Sequence, residues 1–194
     1  MKKIILSIAL IVFTIISINA QTFGVKAGVN FAKLDTNEDI SWDSKTGFNL
    51  GIFAELELSE KFIFQPELLF STQGAKFEEF GAEVKAMANY INIPLMLKFK
   101  AVDKFFIEAG PQIGFLTTAK TEITFDGETE EDDFKDESKS TDFSLNMGLS
   151  FDVMDKLSLG ARYSLGLTNI IDDQEEDEEV KNKVFSFFVT YKFN

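Results

Sequence analysis

The chain has no cysteine and no histidine, and among its 194 residues are only three prolines, three tyrosines and one tryptophan. Without cysteine there is no disulfide framework, no thiolate nucleophile and no lipoprotein attachment point. Without histidine, serine–histidine triads and histidine-ligated zinc or copper sites are excluded. Positive charge is also scarce, 19 Lys and Arg against 32 Asp and Glu for a net charge of −13, so nucleic acid is repelled and no nucleic-acid partner is expected. No motif calls for a cofactor. What the chain does have is phenylalanine, 22 residues in an acidic sequence of mean hydropathy zero. A soluble domain would hide those rings in a core, whereas a transmembrane β-barrel would turn many of them to lipid.

The first twenty residues read as a cleavable signal. Lys2 and Lys3 form a basic start, Ile4 to Ile16 an apolar stretch, and Ser17-Ile18-Asn19-Ala20 a small-residue cleavage site, so residues 1–20 are expected to leave and residues 21–194 to form one barrel domain. A membrane anchor needs about 18 apolar residues. Here Ser7, Thr14 and Ser17 interrupt the run. Loss of the two lysines takes the net charge from −13 to −15.

Beyond the signal there is no helical period, only repeated alternation of apolar with small or polar residues, the period of a strand. Eight runs are present: Phe23 to Phe31, about Thr46 to Leu58, Lys61 to Gln73, Asn89 to Lys100, Lys104 to Leu116, Thr141 to Val153, Lys156 to Thr168, and Val184 to the end. The sixth is the cleanest, with Phe143, Leu145, Met147, Leu149, Phe151 and Val153 against Asp142, Ser144, Asn146, Gly148, Ser150 and Asp152. Each of these runs is long enough to cross a bilayer as a tilted strand, which takes roughly 9 to 11 residues.

The connections alternate in length. Short turns are expected at Ser59-Glu60, Val102-Asp103 and Met154-Asp155, and long loops at Leu34 to Lys45, Ala75 to Met87, Thr117 to Ser140 and Asn169 to Lys183. This is the layout of an up-and-down barrel with tight periplasmic turns, long outer loops and both termini on the periplasmic side. An open sheet edge in hydrocarbon would leave unpaired backbone groups, so the strands are expected to close. The fold class is therefore all-β, an eight-stranded antiparallel up-and-down transmembrane β-barrel. Pro66, Pro94 and Pro111 fall within these strands and are expected to mark bulges or strand ends, because proline cannot donate to a ladder.

In Phe23-Gly-Val-Lys-Ala-Gly-Val-Asn-Phe31, Phe64-Gln-Pro-Glu-Leu-Leu69, Tyr90-Ile-Asn-Ile-Pro-Leu95 and Gly110-Pro-Gln-Ile-Gly114 the chain resembles the small outer-membrane β-barrel proteins common in Bacteroidetes, often labelled porin-family or outer-membrane β-barrel domain proteins. The likeness covers nearly all of residues 21–194. It implies a fold and a location in the cell outer membrane, and carries no shared substrate or catalytic motif. The last strand is similar to the signal read by the barrel-assembly machinery, with Tyr191 and Phe193 as its aromatic residues; Asn194 departs from it by following Phe193.

Three groups of residues are candidates for function. Lys26, Glu55, Glu57, Glu67, Lys98, Lys100, Glu108, Asp152 and Arg162 are expected to share one narrow lumen, as a salt-bridge network that fills it or as an ion path. The acidic loops offer weak divalent-cation candidates in Asp126, Glu128, Asp132, Asp133, Asp172, Asp173, Glu175 and Glu176, without the EF-hand pattern; a solvated charge run is the plainer reading. Phe23, Phe31, Phe62, Phe99, Phe105, Tyr163, Tyr191 and Phe193 are placed for aromatic girdles at the two membrane interfaces. No catalytic residue is assigned, since paired carboxylates such as Glu55 and Glu57 lie on one wetted face without a nucleophile. The expected role is that of a non-enzymatic envelope or surface-interaction barrel, contacting lipid and lipopolysaccharide. A narrow channel for ions or small solutes is the alternative. A secreted lipocalin-like carrier is a third reading, which requires the apolar rows to point inward.

Overall fold

The computed structural model describes residues 21–36, 43–79, 82–125, 128–135, 138–171 and 179–193. Among these residues nine strands run in chain order: β1 (Gln21–Thr36), β2 (Asp43–Glu57), β3 (Phe62–Glu79), β4 (Ala82–Val102), β5 (Phe105–Phe125), β6 (Glu128–Asp133), β7 (Thr141–Met154), β8 (Leu157–Gly166) and β9 (Val180–Lys192). All neighbours pair antiparallel in the order β4-β3-β2-β1-β9-β8-β7-β5, and β4 also pairs β5, so eight strands form a ring. β6 pairs only β5, beyond the part of β5 that pairs β7. The seam between first and last strands is continuous from Gly24 opposite Lys192 to Thr36 opposite Val180.

Side-chain direction follows the alternation in the sequence. In β7, Phe143, Leu145, Met147, Leu149 and Phe151 face out and are exposed, while Asp142, Ser144, Asn146 and Ser150 are buried inside. β1 repeats the arrangement, with Phe23, Val25, Val29 and Phe31 outside and Lys26 and Asn30 inside. This exterior is apolar and the interior polar, the reverse of a soluble domain, and it rules out a lipocalin-like carrier. Phe62 and Phe99 on one side of the ring, and Tyr191 and Phe193 on another, stand as ring pairs near the turn end, with centroids 5.3 and 6.2 Å apart. Phe31 with Phe187, and Phe48 with Phe70, form pairs nearer the loop end.

Several expectations are corrected. Ala75 to Met87 is not a loop: β3 continues to Glu79 and β4 begins at Ala82. Much of Thr117 to Ser140 is also strand, since β5 continues to Phe125 and turns back as β6, a ninth strand outside the barrel wall. Cross-strand pairing continues the ladder there, through Lys76–Lys85 and Thr124–Thr129, although charged and small residues hide the apolar period. Nor do the prolines mark bulges. Pro66 lies opposite Leu95, Pro94 opposite Gln112 and Pro111 opposite Leu145, with no register shift at any of them. The ladder keeps its register past each proline, and the recorded shift in the β4–β5 wall nearest the loop end falls at Asn89/Tyr90.

Inside the wall, glycines make room for rings. A Cβ on Gly160 would lie 2.3 Å from Cζ of Phe188, and one on Gly24 would lie 2.4 Å from Cζ of Phe53. These inward rings occupy notches that no other residue type leaves open.

Leu149, 48% exposed near the middle of β7, tests the direction of the faces. Leu149→Arg is expected to destabilise the barrel by about 2–4 kcal/mol in vesicles, the depth-dependent cost of a cation facing lipid. Equilibrium refolding in urea with phosphatidylcholine vesicles measures it, and an unchanged midpoint would contradict an outward Leu149.

Candidate functional site: the lumen and its mouths

The lumen is built from the inward residues of all eight wall strands, and it changes character along its length. At the loop end, Ala88, Tyr90, Leu116 and Ala119 form a buried apolar cluster, and Phe134, just after β6, packs against it. Beside it the buried carboxylate of Asp142 accepts hydrogen bonds from Asn182 Nδ2 at 3.0 Å and Thr168 Oγ1 at 2.8 Å, and Asn182 Nδ2 also approaches the Tyr90 hydroxyl at 3.3 Å. Inner polar side chains of β7 and β9, with Thr168 just after β8, are thereby tied to the apolar cap.

Below lies a neutral amide belt. Asn30 donates to Ser71 Oγ and to the carbonyls of Phe48 and Thr72, and its own Oδ1 accepts from Asn49 and Ser186. Asn146 donates to Gln112 across the β5–β7 wall. The space among Asn30, Asn49, Asn92, Gln112 and Asn182 is about 30 Å³, on the scale of one water molecule. Lys26 and Arg162 also line it.

The centre is a four-charge cluster. Arg162 donates through Nη1 and Nη2 to both oxygens of Glu67, at 2.9 and 2.8 Å, and through Nε and Nη2 to Glu108 Oε1, at 2.9 and 2.7 Å. Lys26 Nζ lies 3.2 Å from Glu67, and Gln65 donates to the same carboxylate at 2.6 Å. Two cations thus meet two carboxylates with every group buried. Such a cluster persists only because both signs are present and geometrically matched, since one unpaired charge there would cost several kcal/mol. The Phe188 ring adds a cation–π surface, with Lys26 Nζ 3.7 Å and Arg162 Cζ 5.4 Å from its centroid. Gly148 supplies the clearance, since a Cβ there would stand 2.9 Å from Glu108 Oε1.

A second charged tier lies toward the turn end. Lys98 bonds Glu55 at 2.6 Å and sits over Phe106, 4.8 Å from its centroid, while Lys192 meets Glu55 at 3.1 Å and Asp152 at 3.7 Å. Ser158 donates to Asp152 at 2.5 Å. Beyond this tier the mouth widens into a cup of about 770 Å³ ringed by the short turns.

Of the nine charges expected in the lumen, Lys26, Glu67, Glu108 and Arg162 come together in the first cluster, and Glu55, Lys98 and Asp152 in the second. Glu57 and Lys100 stand closer to the turns, still paired in the wall with Ile63 and Phe106, and line the open cup, which Glu55, Asp152 and Lys192 of the second tier also reach. Lys100 pairs with the exposed Asp103 at 2.9 Å, whose carboxyl this hydrogen bond and charge hold below its usual range. Lys192 and the inward rings Phe53, Phe106 and Phe188 were not anticipated, yet Lys192 and Phe188 stand on the inner alternation of β9, opposite Phe187, Val189 and Tyr191. Phenylalanine on a polar row gave no signal of its own.

The outer acidic residues divide. Glu128 and Asp132 lie on one face of β6 and Asp133 on the other, while Asp126, Asp172, Asp173, Glu175 and Glu176 lie outside the described residues, as do residues 1–20, expected to be a signal, and Asn194. Among the described residues no three acidic groups stand close enough to hold a metal ion. Tyr191 and Phe193 are exposed on the outer surface.

A closed antiparallel ring with apolar residues outside and matched charges inside defines a small transmembrane β-barrel. The chain belongs to the outer membrane protein beta-barrel domain family, which residues 19–172 match. Solved structures agree in fold. The attachment invasion locus protein Ail of Yersinia pestis, solved in complex with the heparin analogue sucrose octasulfate, is 16% identical at a TM-score of 0.52, over 89% of this chain and 99% of that one. Neisserial surface protein A is 17% identical at a TM-score of 0.50, over 88% and 97%, and OprG of Pseudomonas aeruginosa 12% identical at 0.51, over 90% and 97%. No curated protein matches by sequence.

Glu67 holds the central cluster together, and Glu67→Ala leaves Lys26 and Arg162 short of one carboxylate. The barrel is expected to lose about 3–5 kcal/mol. Heat-modifiable gel mobility should show the folded band disappearing at a lower temperature than in the unmodified chain, and an unchanged transition would mean that the cluster contributes nothing to stability.

Proposed function

We propose that this protein is a non-enzymatic outer-membrane barrel with a closed lumen, whose role is carried by the surface that its long outer hairpins present. The observation that carries the reading is the central cluster, in which Arg162 bridges two carboxylates from different wall strands and Phe188 fills the space beside Lys26. An ion crossing the lumen would have to displace these matched charges, and the apolar cap at Tyr90, Leu116 and Phe134 stands above them. Eight strands leave an interior that side chains can fill, and here the rings of Phe53, Tyr90, Phe106 and Phe188 help to fill it.

The same reading takes residues 1–20 as a signal removed after Ala20, and Tyr191 and Phe193 as the feature recognised by the barrel-assembly machinery. Lipid surrounds the Phe and Leu rows, and lipopolysaccharide meets the outer ends of the strands. Divalent cations at the acidic loops belong to this proposal as bridges to lipopolysaccharide phosphates.

Conductance in planar bilayers tests it. The purified barrel is expected to give no discrete openings. Regular, reproducible steps would overturn the closed lumen and favour the narrow channel.

A further inference from the structure

The strands that rise past the wall make an amphipathic sheet of their own. Register places Phe77, Val84, Ile123 and Glu130 in one row across β3, β4, β5 and β6, and Phe125 and Glu128 in the next row on the same face. The opposite face holds the ion pairs Lys85–Glu83 at 2.7 Å and Lys120–Glu131 at 3.0 Å, and the Thr124–Thr129 hydrogen bond. One side is therefore polar and internally matched, while the other bears Ile123, 44% exposed, and Phe125, 61% exposed.

Lipid does not account for these two residues. Their face continues the alternation of Ala88 and Ala119, which are buried in the lumen cap, so it looks over the barrel mouth and not along the membrane. Beside the apolar row the same face carries a column of carboxylates on β6, Glu128, Glu130 and Asp132, all exposed. An occupant of this face must bring apolar groups to Ile123 and Phe125 and positive charge to the column. A second copy of this chain would bring the same acidic column to its own, in a molecule of net charge −13, and is disfavoured.

We propose that this face docks a cationic amphipathic peptide, apolar on one side and lysine- or arginine-rich on the other. The inference rests on the reading that the hairpins stand outside the outer membrane, and it names the partner class for that surface. Burial of the exposed Ile and Phe supplies the attraction, and the acidic column selects for positive charge and raises the rate of encounter.

The test uses the full chain in phosphatidylcholine nanodiscs and a fluorescein-labelled peptide of alternating lysine and leucine, followed by anisotropy. Binding is expected to exceed that to empty nanodiscs and to weaken about tenfold in the double variant Ile123→Ser/Phe125→Ser, which removes exposed apolar area. A similar loss is expected in Glu128→Gln/Glu130→Gln/Asp132→Asn, together with a shallower salt dependence. The opposite-face variant Lys120→Ala/Glu131→Ala should bind as the unmodified chain does. All the substituted residues are exposed or on the free hairpin, so heat-modifiable mobility should be kept and reports any failure to fold.

Unchanged binding in the first two variants, loss in the opposite-face variant, or signal equal to that of empty nanodiscs would overturn the proposal. Because the chain has no cysteine, Phe125→Cys gives a single thiol for a membrane-impermeant maleimide on intact cells. Labelling without peptide binding defeats the docking inference alone. Absence of labelling in a folded barrel defeats the location on which it rests, and the inference with it.

Discussion

Everything in this structure depends on the need of each backbone amide and carbonyl in hydrocarbon to find a partner within the protein. A sheet meets that need only by closing on itself, and the β1–β9 and β4–β5 pairings complete the ring. Closure then dictates the rest. The outer face must be apolar because it meets lipid, and the inner face, enclosed and narrow, must satisfy whatever polar groups the alternation delivers to it. Phenylalanine is abundant for the first reason, and lysine, arginine and glutamate are buried for the second.

The interior meets its own need by local neutrality. Lys26 and Arg162 face Glu67 and Glu108, and Lys98 and Lys192 face Glu55 and Asp152. In each tier the two cations and two carboxylates come from at least three strands, so the ion pairs also fix the relative positions of distant parts of the wall. In a chain that is strongly acidic overall, each of these two tiers is thus neutral, and the buried Asp142 is held apart from them by the neutral donors Asn182 and Thr168. Glycine completes the arrangement, since Gly148 gives Glu108 its clearance and Gly160 admits the ring of Phe188.

The barrel was legible in the sequence because lipid-facing residues recur at every second position with little noise; Phe143 to Val153 needs no other evidence to be placed. The lumen charges were legible as the complement of that pattern. Three things were not. Phe53, Phe106 and Phe188 point inward, and a ring on a polar row looks like noise until notches such as those of Gly24 for Phe53 and Gly160 for Phe188 are seen. The strand extensions past Ala75 and Leu116 carry charged and small residues on the hidden register, because above the membrane no lipid enforces an apolar row. Finally, Glu57 and Lys100 follow the inward alternation, but alternation does not say where along the axis the narrow lumen ends and the open cup begins.

The seam between the first and last strands also sets an order of events. Along one edge, Gly24 to Thr36 find their partners in Val180 to Lys192 of β9. Until β9 is in place, β1 has one edge unsatisfied and the ring cannot shut. The open ribbon that precedes closure therefore exposes two unpaired edges, and a sheet in that state is prone to stick to its neighbours.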